Sequence, residues 1–180
     1  MTLSRVAPCA ILAFALTSVA PAVSAQAVSA ADMAFVQGMI MHHAQAITMT
    51  AMVRTHTSRV ELLLLAERIE VSQRDELAVM HRWLADHGAS PQMHGAHAMP
   101  GMLSPAQLAE LAAARDAAFD RLFLRLMIQH HDGALQMVTD LRRVPGAAQS
   151  PMLFQFVNDI DNDQRAEIRR MQTLLAAWSK

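Results

Sequence analysis

The sequence predicts an all-α protein: a four-helix bundle made from a duplicated helical hairpin. The first repeat is Met-Ile-x-His-His-x-x-Ala-x-x-Met, found at 39–49 and 127–137 with six of eleven positions identical. The second is Gln-Arg-x-Glu-x-x-x-Met, found at 73–80 and 164–171. No segment shows the period-two alternation of a half-buried strand. Two hairpins with one apolar face each bury those faces against one another.

The first 25 residues are typical of a secretory signal peptide. Arg5 gives a basic start, residues 10–20 are nearly all apolar, and Val23-Ser24-Ala25 is a small-residue cleavage site. The apolar run is too short to span a membrane. This predicts a periplasmic or secreted domain, residues 26–180, with no membrane span after cleavage. A retained anchor is the alternative.

The first hairpin is predicted at about 32–87. Asp32 is a candidate N-cap for its first helix. Ser58 with Glu61 three residues later has the pattern of a capping box for the second helix. Gly88 suits the position just after that helix ends.

A linker rich in glycine and proline is predicted at 88–103, followed by the second hairpin at about 104–178. Ser-Pro pairs at 104–105 and 150–151 predict the starts of its two helices. A break is expected near 113–118.

The composition favours a binder of soft metal ions. The chain has 14 Met and 9 His, whereas its only cysteine, Cys9, lies in the predicted signal peptide. Charges nearly balance, with 15 basic and 16 acidic residues, and there is no basic stripe. Aromatic residues make up 4% and tyrosine is absent, so nucleic acid is not an expected partner.

The two His-His motifs carry the candidate metal ligands. At helical spacing their histidines and methionines share one broad face toward the bundle interior. Neutral imidazole and thioether groups suit Cu(I), and imidazole also suits Cu(II). One shared site and two separate sites both remain open. The candidate ligands are Met39, His42, His43, Met49, Met127, His130, His131 and Met137.

A polar layer from the other two helices faces these motifs. An unpaired buried polar group costs about 1–3 kcal/mol, so a histidine inside the bundle needs a partner. The alternative to metal binding is therefore a structural network of histidine with glutamine or glutamate. The supporting residues are Gln73, Glu76, Gln164 and Glu167.

The linker holds a second candidate metal site. Methionine and histidine crowd ten residues of it, and such a segment can wrap a soft cation without preformed geometry. The alternative is a linker whose methionines pack onto the end of the bundle. The residues concerned are Met93, His94, His97, Met99 and Met102.

Catalysis is not expected. The sequence contains no Ser-His-Asp arrangement, phosphate loop or nucleophile elbow. A di-iron bundle needs Glu-x-x-His motifs, and this chain has none. Two alternatives to a metal-binding protein stay open: a structural or stress-response helical module, and the less favoured metal-dependent redox enzyme.

The chain resembles the DUF305 family of exported bacterial proteins over roughly 32–176. The matching signatures are Met-Ile-x-His-His in both halves, Gln-x-x-Glu-x-x-x-Met twice, and Met-Pro-Gly-Met-Leu-Ser at 99–104. The resemblance implies a ferritin-like four-helix bundle. It also implies periplasmic copper binding or resistance through the Met and His residues of both motifs, with other copper-handling proteins as partners. Gln129 departs from the pattern set by Met41 in the first copy.

Overall fold

The computed structural model describes residues 28–92 and 99–178. These residues form five α-helices and no strand. The predicted all-helical fold is confirmed, but the helices number five rather than four. They are α1 (Ala30–His56), α2 (Val60–Asp86), α3 (Pro105–Ala113), α4 (Asp116–Arg142) and α5 (Pro151–Trp178).

The extra helix arises because the segment before the second motif is interrupted. Ala114 and Arg115 adopt extended backbone angles, and Asp116 has a φ of 50°. The nine residues of α3 therefore separate from α4. The interruption falls within the break expected near 113–118.

Two predicted helix starts are wrong. The N-cap of α1 is Ser29, and Asp32 lies at its third helical position. Asp32 completes a capping box with Ser29 and also accepts a hydrogen bond from the Ala148 amide at 2.7 Å. The N-cap of α2 is Arg59, which makes no side-chain cap, and the predicted Ser58–Glu61 capping box does not form; the Arg59 amide donates to the Thr57 hydroxyl instead.

The other helix ends follow the sequence signals. Gly88, just after α2, has a φ of 62°, a left-handed conformation that glycine tolerates. Ser104 and Gln107 form the capping box of α3. The Ser150 hydroxyl accepts from the Leu153 amide at the start of α5.

The long helices pack as two hairpins that meet through α1 and α4. Helix α1 lies along α2, α4 lies along α5, and α1 also contacts α4. Two apolar clusters fill the interior: one contains Met49, Leu62 and Phe123, and the other contains Phe35 and Trp83 among its members. Between them along every long helix lies a layer of buried polar residues. In the described residues no helix is long and apolar enough to cross a membrane.

The predicted signal peptide, residues 1–25, lies outside the described residues, as do Met93, His94 and His97 of the second candidate site. Met99 and Met102, the other two residues of that candidate site, lie within the described residues.

Candidate metal centre

The polar layer contains the four motif histidines and their four predicted supporting residues. Burial is nearly complete at all eight positions, and the most accessible of them, Glu76, is 9% exposed. The residues are His42 and His43 on α1, Gln73 and Glu76 on α2, His130 and His131 on α4, and Gln164 and Glu167 on α5.

The second histidine of each pair bonds to a carboxylate of its own hairpin. His43 Nε2 donates to Glu76 Oε2, and His131 Nε2 donates to Glu167 Oε2 at 2.7 Å. The Ser72 hydroxyl donates to the other oxygen of Glu76. These bonds are equivalent under the internal repeat, and each joins the two helices of one hairpin.

The first histidines meet each other across the two hairpins. The ring centroids of His42 and His130 are 3.8 Å apart, with the ring planes inclined by 39°. His42 Nε2 donates to the carbonyl oxygen of Pro100 at 3.1 Å. Both ring nitrogens of His130 are buried and make no hydrogen bond of normal geometry within the described residues, although the His42 backbone lies close enough to interact with the ring. The repeat therefore forms one shared histidine pair.

Burial keeps this pair uncharged. It lowers the pKa of His42 to about 3. Positive charge on the neighbouring His43 lowers this pKa further, whereas the hydrogen bond to the Pro100 carbonyl raises it. Burial also lowers the pKa of His130 well below its usual value; positive charge on His42 or His131 would lower it further, and the interaction with the His42 backbone opposes this only weakly. Neutral imidazole is the form that ligates metals, so both rings are ready for that role at neutral pH.

A short strap, residues 99–103, crosses α1 and α4 beside this pair. The Gln45 side chain donates to the Leu103 carbonyl at 3.1 Å and accepts from its amide at 2.7 Å. Gly101 lies directly on Gly133 of α4. A Cβ added to Gly133 would come within 2.1 Å of the Pro100 oxygen. The absence of a side chain at Gly133 thus lets the strap reach His42.

The methionines of the motifs occupy different surroundings. Met39, Met49 and Met127 are fully buried, and Met39 and Met127 each precede a first histidine by three residues on the same helix. Met137 is half-buried. It lines an open apolar cavity of about 420 Å³ together with Met99 of the strap. Met102 is half-buried as well.

Histidine and carboxylate side chains do not by themselves form a metal site within the described part of this layer. The described part of the chain contains no group of three His, Cys, Asp or Glu side chains arranged to hold a metal ion. A site here would add methionine sulfur to the imidazoles, and that donor set favours Cu(I) over zinc or iron. The residues present therefore suit copper by donor chemistry.

Sequence reasoning missed the strap contacts and one acidic residue. Gly133 lies within α4, and an isolated glycine inside a helical pattern usually has a packing reason. Asp163 was not singled out, although it lies four residues before Glu167 on α5. Although Asp163 is exposed, its pKa is raised by partial desolvation and by the negative charges of Glu76 and Glu167. The Pro100 carbonyl leaves no sequence signal of its own.

The sequence profile of the family described as "domain of unknown function (DUF305)" matches residues 32–175. The chain belongs to the DUF305 family. The predicted resemblance is thereby confirmed, and it extends to solved structures. A DUF305 fragment from Deinococcus radiodurans is 33% identical with a TM-score of 0.76, the match covering 83% of this chain and 98% of that one.

Two further solved structures are similar to this chain. A DUF305 protein from Streptomyces coelicolor, named as a candidate secreted protein, is 26% identical with a TM-score of 0.77, over 83% of this chain and 94% of its own. CopM in its Cu(I)-bound form is 31% identical with a TM-score of 0.67, over 83% and 98%. No curated protein sequence matches the chain.

Proposed function

We propose that this DUF305 protein binds copper without catalytic turnover, through the His42–His130 pair where its hairpins meet. The four long helices act as one four-helix bundle that holds the two rings between them. Methionine thioethers of the same motifs complete the donor set and favour Cu(I). The biological task is sequestration, resistance or transfer of copper in the periplasm or outside the cell.

The observation that carries this proposal is the environment of His130. The ring is 1% exposed, and neither nitrogen makes a hydrogen bond of normal geometry within the described residues; its one polar neighbour is the His42 backbone, whose interaction is too weak to offset the effect of burial on the pKa. Leaving a buried polar group unpaired costs about 1–3 kcal/mol, so His130 is a poor choice for packing alone. A bound cation would use the lone pair that the fold leaves without a partner.

Two buried methionines support a soft cation in particular. Met39 and Met127 precede His42 and His130 by three residues, which places each thioether one helical turn from its imidazole. Thioether and imidazole ligands together select Cu(I). The arrangement is the same on α1 and α4, so each hairpin contributes one imidazole and one nearby sulfur.

The structural relatives support the choice of metal and compartment. CopM, 30–31% identical to this chain, is known in Cu(I)-bound, Cu(II)-bound and silver-bound forms. The Streptomyces relative is named as a candidate secreted protein. Export of this chain is consistent with the signal-peptide pattern of its first 25 residues. Other exported copper-handling proteins are the proposed partners.

The test is a Cu(I) titration of the purified protein against a competing chelator. We expect the double variant His42→Leu/His130→Leu to bind Cu(I) at least about 100-fold more weakly, because both central imidazoles are lost. His81→Ala, at an exposed position of α2, is the matched control and should bind as the wild type does. Unchanged affinity in the double variant would contradict the bundle site.

The linker remains a separate prediction that the same titration decides. If it holds the copper, a variant altered at Met93, His94, His97, Met99 and Met102 loses binding while the His42/His130 variant retains it.

A purely structural role is the second candidate function, and the two His–Glu bonds favour it. His43 and His131 already have carboxylate partners inside their own hairpins. A metal-free helical module predicts a melting temperature that copper does not change. A copper-binding protein is instead stabilised by mass action when the ion is added. Metal-dependent oxygen consumption would point to the redox enzyme.

A further inference from the structure

Two methionines that the sequence assigns to different candidate metal sites line the same cavity. Met137 belongs to the second His-His motif, whereas Met99 belongs to the linker. The cavity, of about 420 Å³, opens to solvent between α1 and α4 where the strap meets them. Both residues are half-buried, so the cavity gives an ion access to their thioethers. The fold therefore combines one thioether from each predicted site.

Met137 differs from its counterpart in the first motif. Met49 occupies the equivalent position of the repeat and is fully buried in an apolar cluster. Met137 is only partly buried and lines the cavity instead. Met99 lines it as well because the strap is held to α1 by Gln45 and lies against α4 at Gly133. The contact that breaks the symmetry of the repeat thus brings a second thioether to this cavity.

The remaining walls of the cavity suit a soft ion. They are mostly apolar, with Phe35 and Val144 among them, and provide little competition from polar side chains. Asp140 is the charged residue among the described residues that line the cavity, and its carboxylate already accepts from Gln136 and Arg143. Thioethers select Cu(I) over hard ions such as Mg²⁺, which need oxygen ligands.

The cavity also lies close to the shared histidine pair. Pro100 lines it, and the carbonyl of the same residue accepts from His42 Nε2 at 3.1 Å. Met137 follows His130 by seven residues on α4, which is two helical turns or about 10 Å along the axis. One ion cannot bind both side chains across that distance. The cavity is therefore a separate position, outside the pair and next to it.

We propose that Met99 and Met137 form a thioether site at which Cu(I) enters and leaves the protein, one step outside the His42–His130 pair. The inference rests on the proposed function and adds the place where the ion is exchanged. Two thioethers leave room on the ion for a ligand of a delivering or receiving partner. The ion then passes on by ligand exchange and stays Cu(I), so no electron is transferred.

A silver titration followed by the ¹³C-labelled methyl groups of methionine tests the site directly. The protein is the His42→Leu/His130→Leu variant, so that the shared pair does not compete for the ion. Adding Met99→Leu or Met137→Leu assigns the two signals, because leucine has a similar volume but no sulfur. We expect both signals to shift along one binding curve, and loss of either sulfur to weaken Ag(I) binding by about tenfold or more.

The other outcomes of this titration overturn the proposal. Silver that shifts the Met99 signal but not that of Met137 would be bound by the linker alone. Silver that shifts neither signal would show that the cavity does not hold a soft ion. The control is Met52→Leu, a half-buried position near the other end of α1, which should leave both binding curves unchanged.

A loading measurement tests the role in exchange. Metal-free protein with its histidine pair intact is mixed with a coloured Cu(I)–chelator complex, and the decay of the colour gives the rate at which copper enters. We expect Met99→Leu/Met137→Leu to load about tenfold more slowly or worse, because the outer ligands that capture the ion are lost. Met52→Leu should load at the wild-type rate. Loading at the wild-type rate in the double variant would overturn the proposal.

The two proposals fail in different ways. If His42→Leu/His130→Leu binds Cu(I) as tightly as the wild type, the proposed function fails, while the methyl signals of Met99 and Met137 still decide whether the cavity binds silver. If that histidine variant loses tight binding but neither methyl signal responds to silver, copper binding by the pair stands and this inference is wrong.

Discussion

The two histidines of each His-His motif are neighbours in sequence but have opposite surroundings. His43 and His131 each bond to a glutamate within their own hairpin. His42 and His130 face each other between the hairpins, and no carboxylate among the described residues bonds to either ring. Successive residues on a helix point about 100° apart, so one ring meets the partner helix of its hairpin and the other meets the opposite hairpin.

Because of this difference, the two histidines of each motif have different roles in the polar layer. The His–Glu bonds satisfy polar groups and join the helices of each hairpin. The His42–His130 contact joins the hairpins, but it leaves the nitrogens of one ring unused. A repeated dipeptide can therefore supply structure with one residue and a binding site with the other.

A second contrast separates the two halves themselves. The strap bonds to Gln45 on α1 and rests on Gly133 on α4, and these residues occupy equivalent positions of the repeat. It also gives His42 the Pro100 carbonyl as a hydrogen-bond partner, whereas none of its described residues bonds to His130. The strap thus breaks the symmetry of the duplicated hairpin beside the candidate site.

The largest expected effect is that of His131→Leu, and His130→Leu on the same helix is its matched comparison. His131→Leu leaves Glu167 buried without its partner and should lower the free energy of unfolding by about 3–5 kcal/mol. His130→Leu removes an unsatisfied polar ring and should stay within about 1 kcal/mol of the wild type. Urea denaturation of the metal-free proteins measures both. Equal losses would remove the distinction between the two histidines.

Filling the space above Gly133 should have the next largest effect. In Gly133→Ala the new Cβ would meet the Pro100 oxygen at 2.1 Å, so the strap or α4 must move. We expect a loss of about 1–3 kcal/mol and a lower melting temperature. Asp132→Ala, at the exposed neighbouring position, is the control. A fully stable Gly133→Ala protein would mean that the strap does not depend on this contact.

Acid should destabilise the protein through the shared pair. In the unfolded chain His42 takes up a proton near its ordinary pKa of 6.5, whereas in the folded protein it does so near 3. The unfolded state binds more protons between these values, so stability is full above pH 6.5 and falls as the pH drops toward 3. His42 alone should cost about 2 kcal/mol by pH 5.

Denaturation at pH 7 and pH 5 checks this. His42→Leu/His130→Leu should show a smaller loss between the two pH values than the wild type. An identical loss would place the titrating groups elsewhere.

The smallest expected effect is that of Gln45→Ala. It removes two hydrogen bonds to Leu103 and should cost about 1 kcal/mol. Amide hydrogen exchange should accelerate at Leu103, while amides in the middle of α5 exchange at the wild-type rate. Unchanged exchange at Leu103 would show that Gln45 does not hold the strap.

Much of this architecture was predictable because it depends on local signals. Helical periodicity, the Ser104–Gln107 capping box and Gly88 follow from nearest neighbours along the chain. The cap of α1 was mispredicted because Asp32 and Ser29 are both good capping residues, and the choice depends on Asp32 also reaching Ala148 across the fold.

The candidate site was predictable as a set of residues but not as an arrangement. Periodicity places His42 and His43 on one broad face, whereas which of them meets Glu76 depends on helix rotation within the bundle. The strap was not predicted to touch His42, because that contact uses the Pro100 backbone and the missing side chain of Gly133.

The most direct test of the central claim is the position of a soft cation in crystals of the protein. Silver is a suitable Cu(I) substitute, because its anomalous scattering locates it without reference to the surrounding ligands. The account predicts one anomalous peak inside the bundle, within bonding distance of His42 and His130 and lost in His42→Leu/His130→Leu crystals. A peak only at surface methionines, or none in the polar layer, would contradict it.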